Sequence, residues 1–317
     1  MKLVYSDRYL VDIGAHVFPT KKYKLVRDGA LTAGLAAPAD VLEPIESPWE
    51  ELALVHDADY LEKTRTGGFR PSEMALLELP WTAEAAEGFR VIVGGTVLAA
   101  RLAVDEAHRM KRRNPEAAAG GTLPLAVSAN LGGGFHHAFP SHGEGFCLYN
   151  DVGVAVRALQ RDGTIKRAAI IDCDVHQGNG TAFIFDGDPS VFTFSIHQEH
   201  NYPYLKPRGT RDVGLTDGAD DAEYVEMLRR SLPEVFAFQP DLLVYVAGAD
   251  PYQDDMLGGL NITFEGLAER DEVVLGAARD AKVPVVIVLA GGYARRVDDT
   301  VAIHLATLRV AKDLAGA

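Results

Sequence analysis

Five short apolar runs that do not alternate with polar residues constrain this chain more than any other feature; they cover 125–128, 168–172, 191–196, 242–247 and 283–289. Runs of this length, rich in Val and Ile, suit strands buried on both faces, the situation of a parallel sheet covered by helices. Amphipathic stretches over 82–109, 151–161, 222–236 and 263–280 lie between or before them and start near capping residues, such as Asp220 ahead of Glu223 and Thr263 ahead of Glu265. The alternation predicts an α/β fold: a single three-layer domain over residues 1–317, with a central, mostly parallel sheet and helices on both faces. Segment 110–121, with its Asn-Pro and Gly-Gly pairs, reads as an exposed loop. Its composition supports a loop but not a domain boundary, because the chemistry described below draws on residues from both sides of it.

In open parallel sheets, ligands bind beyond the carboxyl ends of strands. Four of the runs lead into polar or glycine-rich clusters there: Gly132 to His137, Asp172 to Gly180, Gly248-Ala249-Asp250 and Gly291-Gly292-Tyr293. Asp174 and His176 are two residues apart, so on an extended backbone both side chains leave one face. With Asp250 they make three N/O donors, the set that catalytic zinc uses with one position open. Ferrous iron accepts the same donors. A lone Asp-x-His is a weak pattern, more often a hydrogen-bonded strand end; the coincidence of four clusters favours a site. Gly132-Gly133-Gly134 lets backbone approach a ligand closely, and the irregular loop after it can turn His136 and His137 toward one water. The Tyr293 hydroxyl can serve a developing oxyanion, although taken alone it reads rather as a tyrosine packed on a turn with its hydroxyl in solvent.

The net charge of −14 disfavours a nucleic-acid partner. It mildly favours cationic partners such as lysine-bearing peptides or polyamines, and a solvated acidic surface accounts for it as well. Cys147 and Cys173 are the only cysteines, which excludes a disulfide scaffold or a cysteine-rich zinc module. Nothing near Cys147 in sequence marks it as activated, so it reads as a core residue. The opening segment MKLVYSDRYLVDIGAH has no long apolar stretch of the secretory kind, and the apolar runs are too short to span a bilayer. The expectation is a cytoplasmic protein with no membrane partner.

The segments GGGFHHA, GFCLYNDV, DCDVHQGNGT, GADPYQDDMLGG and AGGY, in this order and at these separations, resemble the histone deacetylase superfamily, which shares the arginase-deacetylase fold. The resemblance runs from Ser6 to Tyr293, and HVFPTKKY, VHDADYL and SIHQEHNYP look most like the class IV branch and its bacterial relatives. It implies zinc held by Asp174, His176 and Asp250. It makes His137 the main general base and then acid, with His136 as an electrostatic partner. Asp172 would orient His136 and Asn179 would orient His137, at a position that is Asp in some branches and Asn in others. Tyr293 would polarise the scissile carbonyl. Phe146 and Gly134 would line the acyl-lysine channel, and the loop around Leu79-Pro80-Trp81 would contribute to its rim. A structural potassium ion would use Ser195, the carbonyls of Asp172, His176 and Ile196, and the Asp174 side chain.

Arginase relatives place a further Asp four residues after the first ligand, where this chain has Gly178, so one metal ion is expected rather than two. The implied reaction is removal of an acyl group from a lysine side chain of a peptide or protein. The same machinery also serves an acetylpolyamine or another acylated small amine. A catalytically silent acyl-lysine-binding module is the reading from another class; the full set of ligands, histidines and tyrosine favours an enzyme.

Overall fold

The structure, a computed structural model, describes residues 1–316. Strands β1 (Lys2–Val4), β2 (Val41–Leu42), β3 (Val127–Asn130), β4 (Ala168–Asp172), β5 (Val191–Gln198), β6 (Arg211–Leu215), β7 (Leu242–Val246) and β8 (Val285–Val288) form one sheet in the order β2-β1-β3-β8-β7-β4-β5-β6. All its pairings are parallel. Residues of both orientations along β4, β7 and β8 are buried, which is why these strands read as continuous apolar runs.

Helices cover both faces. In one layer Ala83–Arg113 packs on β1, β3 and β8 and against Asp151–Arg161. In the other, Asp221–Ala237, Phe264–Asp280, Val297–Gly316 and Lys22–Thr32 pack in series. The expected caps are in place: the side chains of Thr82, Asp220 and Thr263 accept from the backbone N–H groups of Ala85, Glu223 and Gly266. The long helix has a glycine pair at its closest approach to its neighbours. A Cβ at Gly94 would lie 2.0 Å from the Ile45 carbonyl oxygen, and one at Gly95 would lie 1.9 Å from the Tyr9 hydroxyl.

Three sequence expectations shift. The run expected at 125–128 becomes β3 two residues later, because its register with β8 starts at Val127 opposite Val285 and continues through a polar residue, Asn130. That residue is fully buried and satisfied by the Tyr9 hydroxyl, the Ile92 carbonyl and Thr96. Segment 110–121 is not a loop: the long helix continues to Arg113, and after a break at Asn114 a further turn of helix occupies Pro115–Gly120. Pro at the first helical position followed by Glu and three Ala residues is good helical sequence, which the Gly and Asn around it concealed. Finally β1, β2 and β6 escape pattern reading, being short or, in β6, partly exposed at the sheet edge.

The strand order has one consequence for function. β3, β8, β7 and β4 are consecutive neighbours in the middle of the sheet. Their carboxyl ends carry the four clusters, so residues far apart in sequence arrive at one place.

Candidate active site

The acidic pair and its histidine sit where β4, β7 and β8 end. Asp174 and His176 lie beyond the last residue of β4, in a bend rather than on extended backbone. What brings them together is a local turn: Asp174 Oδ1 accepts from the backbone N–H of His176 at 3.0 Å and lies 3.1 Å from its Nδ1. Asp174 Oδ2 accepts from the Gly291 N–H at 2.9 Å, and Asp250 Oδ1 accepts from the Val175 N–H at 2.9 Å. Asp250 Oδ2, 3.5 Å from His176 Nδ1, is buried and has no hydrogen-bond partner. One ligand atom from each of Asp174, His176 and Asp250 falls within 4.8 Å of the others.

Two buried carboxylates facing one imidazole, with an orphaned oxygen pointed at it, call for positive charge. Burial alone would lower the His176 pKa, but the hydrogen bond to Asp174 and the facing Asp250 carboxylate raise it to about 10. Burial and the Asp174 charge push Asp250 up to about 7. A divalent cation answers the same demand, so the donor set fits zinc or ferrous iron. Glycine at 291 is needed beside it: a Cβ there would lie 1.8 Å from Asp250 Oδ2.

Above this trio lies a histidine pair. His136 Nδ1 is 2.7 Å from Asp172 Oδ2, and His137 Nδ1 is 2.7 Å from Asn179 Oδ1. The two Nε2 atoms are 3.1 Å apart. Burial opposes charge on both rings, yet Asp172 and Asp174 raise His136 to about 9. Burial and the charges of His136 and His176 instead hold His137 well below the usual histidine range. The pair therefore combines a proton-bearing and a proton-accepting imidazole. The loop that presents them turns on Gly133 and Gly134, both in the left-handed region at φ +76° and +84°.

The family described as histone deacetylase domain matches residues 16–308. This chain belongs to the histone deacetylase family. It is 38% identical to an uncharacterized protein of Picosynechococcus over 98% of each chain. It is 30% identical to histone deacetylase 2 of Arabidopsis thaliana, over 92% of this chain and 74% of that one. To the acetoin utilization protein AcuC of Staphylococcus aureus it is again 30% identical, over 91% of this chain and 76% of the other. Among solved structures, the HD domain of HDA15 matches with a TM-score of 0.77 at 23% identity, covering 98% of this chain and 90% of that one, a likeness of fold.

In this histone deacetylase family member a cavity of about 190 Å³ opens over the histidines, walled by Phe146, Tyr202, Leu257 and Tyr293 and reached by Glu78. Phe146 adopts φ +67° and stacks on Phe18 at 6.3 Å. Tyr293 is anchored by its backbone N–H, which donates to Asp255 at 2.6 Å, and its ring meets Phe146 edge-on. Burial and the nearby Asp250 charge raise its phenol, so the hydroxyl keeps its proton and is able to donate. Gly134 lines the floor below, and its carbonyl accepts from the His136 N–H at 2.9 Å. The rim residue is Glu78 rather than Trp81: the Trp81 indole turns away to donate to the Thr64 carbonyl, with its ring where a Cβ on Gly67 would fall.

Gly178 stands against the histidine pair. A Cβ there would lie 2.5 Å from Asp172 Oδ2 and 3.0 Å from the His136 Cβ, so the space for another acidic ligand is already taken. Asp172 pairs with Ser195 across β4 and β5, and the Ser195 hydroxyl is 2.9 Å from His197 Nδ1. Cys147 is buried, with its thiol pKa raised by burial.

Sequence reading missed several supporting residues. Asp151 accepts from the N–H groups of Gly134 and Phe135 at 3.0 and 2.7 Å and from the Thr96 hydroxyl at 2.6 Å. His56 reaches the same loop from residue 56, and Lys22, fully buried, donates to the Ala290 carbonyl at 2.6 Å. All three lie in segments that carry the resemblance, HVFPTKKY, VHDADYL and GFCLYNDV, but their contacts with the site follow only from the fold.

Proposed function

We propose that this chain is a zinc-dependent amidohydrolase that removes acyl groups from lysine side chains with water as the nucleophile. Residues 1–317 act as one catalytic domain, in the cytoplasm, without nucleic-acid or membrane partners. Among the described residues no helix is long and apolar enough to cross a membrane. The observation that carries the reading is the histidine pair, oriented by unlike partners over a buried Asp-His-Asp set.

Asp174, His176 and Asp250 would hold the ion, which when bound supplies Lewis acidity toward the carbonyl oxygen and acidifies water. His137 Nε2 takes the proton of the attacking water, because its Nδ1–H is committed to Asn179. His136, held by Asp172, keeps positive charge beside the developing oxyanion. The Tyr293 hydroxyl donates to that oxygen as charge grows on it. His137 then returns the proton to the leaving nitrogen, giving a carboxylate and a free amine. Phe146, Tyr202 and Leu257 give the channel an apolar wall that suits the methylene chain of a lysine. Potassium at Ser195, Ile196, Asp172, His176 and Asp174 would neutralise the back of the site.

A second reading is hydrolysis of an acylated small amine such as an acetylpolyamine, favoured by Glu78, a carboxylate at the channel wall that a cationic amine would meet. Turnover of an acetyl-lysine peptide and of acetylputrescine, measured on wild type and Glu78→Gln, separates them. The first reading holds if the peptide is the better substrate. The second holds if acetylputrescine is preferred and Glu78→Gln abolishes that preference.

A further inference from the structure

Behind His137 the hydrogen bonds continue one residue beyond Asn179. Asn179 Oδ1 lies 2.7 Å from His137 Nδ1, and its Nδ2 donates to Glu144 Oε1 at 2.7 Å. Glu144 Oε1 also accepts from the Tyr202 hydroxyl at 2.8 Å, and Oε2 lies 3.3 Å from His142 Nε2. The carboxylate is fixed from its own backbone: Glu144 and Cys147 exchange N–H to carbonyl bonds at 3.1 and 2.9 Å. The next residue is Gly145 at φ +49°, where a Cβ would lie 2.9 Å from the Tyr202 hydroxyl and 3.0 Å from His137 Cδ2.

A primary amide has nearly the same shape in its two flipped orientations, so its hydrogen-bond partners alone decide which end faces the imidazole. Ionised, a carboxylate only accepts. Glu144 therefore binds the Asn179 NH2 group and turns the amide oxygen toward His137. That oxygen in turn requires a proton on His137 Nδ1, which leaves Nε2 unprotonated, facing His136 Nε2 at 3.1 Å. We propose that Glu144 is a positioning residue that sets the tautomer of His137 through Asn179. His136 needs no such intermediary, because Asp172 reaches it directly. The same geometry accounts for asparagine at 179, since an aspartate there would set two carboxylates 2.7 Å apart.

This inference rests on the reading of His137 as the base, so its test includes a measurement that does not depend on turnover. In the zinc-loaded full chain, long-range 1H–15N NMR of His137, assigned by comparison with His137→Gln, is expected to place the proton on Nδ1 in wild type. Glu144→Leu is expected to lose that single tautomer and to lower kcat on an acetyl-lysine peptide by about tenfold or more, with the larger part of the loss in kcat rather than KM. In an Asn179→Ala background the same substitution is expected to cost nothing further in kcat. A wild-type proton on Nε2, or an equal kcat loss from Glu144→Leu in both backgrounds, overturns the proposal. If Glu144→Leu does not fold, the wild-type tautomer decides. Absence of turnover on any acylated substrate, with the proton on Nδ1, would count against the proposed reaction and not against the role of Glu144 in orienting the ring.

Discussion

The Nε2 atoms of His136 and His137 face each other across 3.1 Å, while their Nδ1 atoms turn to unlike partners, the Asp172 carboxylate and the Asn179 amide. A carboxylate stabilises an imidazolium and an amide oxygen does so less, so adjacent residues of one loop acquire opposite proton affinities. Their loss should not be equivalent. We expect His137→Ala to lower kcat by about 10² to 10⁴ as the loss of a general base. His136→Ala should cost less, as the loss of a charge beside the oxyanion. Tyr293→Phe should lower kcat by about 10² to 10³, as removal of an oxyanion donor does elsewhere. Steady-state kinetics on an acetyl-lysine peptide checks the ranking; His136→Ala as the most damaged of the three would reverse the assignment of roles.

Asp151 anchors this loop from a distance. Its carboxylate is fully buried and accepts from the Gly134 and Phe135 N–H groups and from Thr96. Asp151→Asn presents an NH2 group to a site furnished with donors, and a buried donor left without a partner costs about 1–3 kcal/mol. We expect denaturant unfolding to show a loss of that size, together with lower kcat because the loop carries both histidines. Stability within 0.5 kcal/mol of wild type, a difference typical of about neutral surface changes, would contradict the role given to Asp151.

His56 makes the same loop sensitive to acid. The Asn150 N–H donates to its Nε2 at 3.0 Å, so Nδ1 carries the proton and donates to the Phe139 backbone carbonyl, also at 3.0 Å. Only the neutral ring satisfies both. Burial lowers its pKa from 6.5 to about 4, the backbone of Phe139 and Pro140 opposing this in part. The folded form thus binds fewer protons than the unfolded form between about 6.5 and about 4, and stability is lost as pH falls through that window. A shift of this size corresponds to a loss on the order of 3 kcal/mol. Urea unfolding followed from pH 7 to pH 4 in wild type and His56→Gln tests this, roughly across the titration range of histidine. The variant should be less stable at neutral pH and should show a shallower acid slope; equal slopes would remove His56 as the cause.

Much of this was written in the chain as pattern. The central strands were legible because burial on both faces leaves uninterrupted apolar runs, and Asp174, His176, Asp250, His136, His137 and Tyr293 were legible because they follow those runs directly. Asp174 and His176 are joined by a turn capped by the Asp174 carboxylate, not by the extended backbone that their spacing predicts. The roles of Asp151, Glu144 and His56 were not legible because their partners lie 16, 35 and 94 residues away and single polar residues carry no periodic signal, even though Asp151 and His56 fall within GFCLYNDV and VHDADYL. The helical turn at Pro115–Gly120 was hidden by the Asn and Gly residues that flank it.

The central claim is that one divalent ion, held by Asp174, His176 and Asp250, is required for amide hydrolysis. The direct measurement is kcat on an acetyl-lysine peptide before chelation, after it, and during titration with zinc. We expect turnover to vanish in the chelated protein and to return in full at one equivalent of zinc per chain. Undiminished turnover without metal, or recovery only at two equivalents, would contradict it.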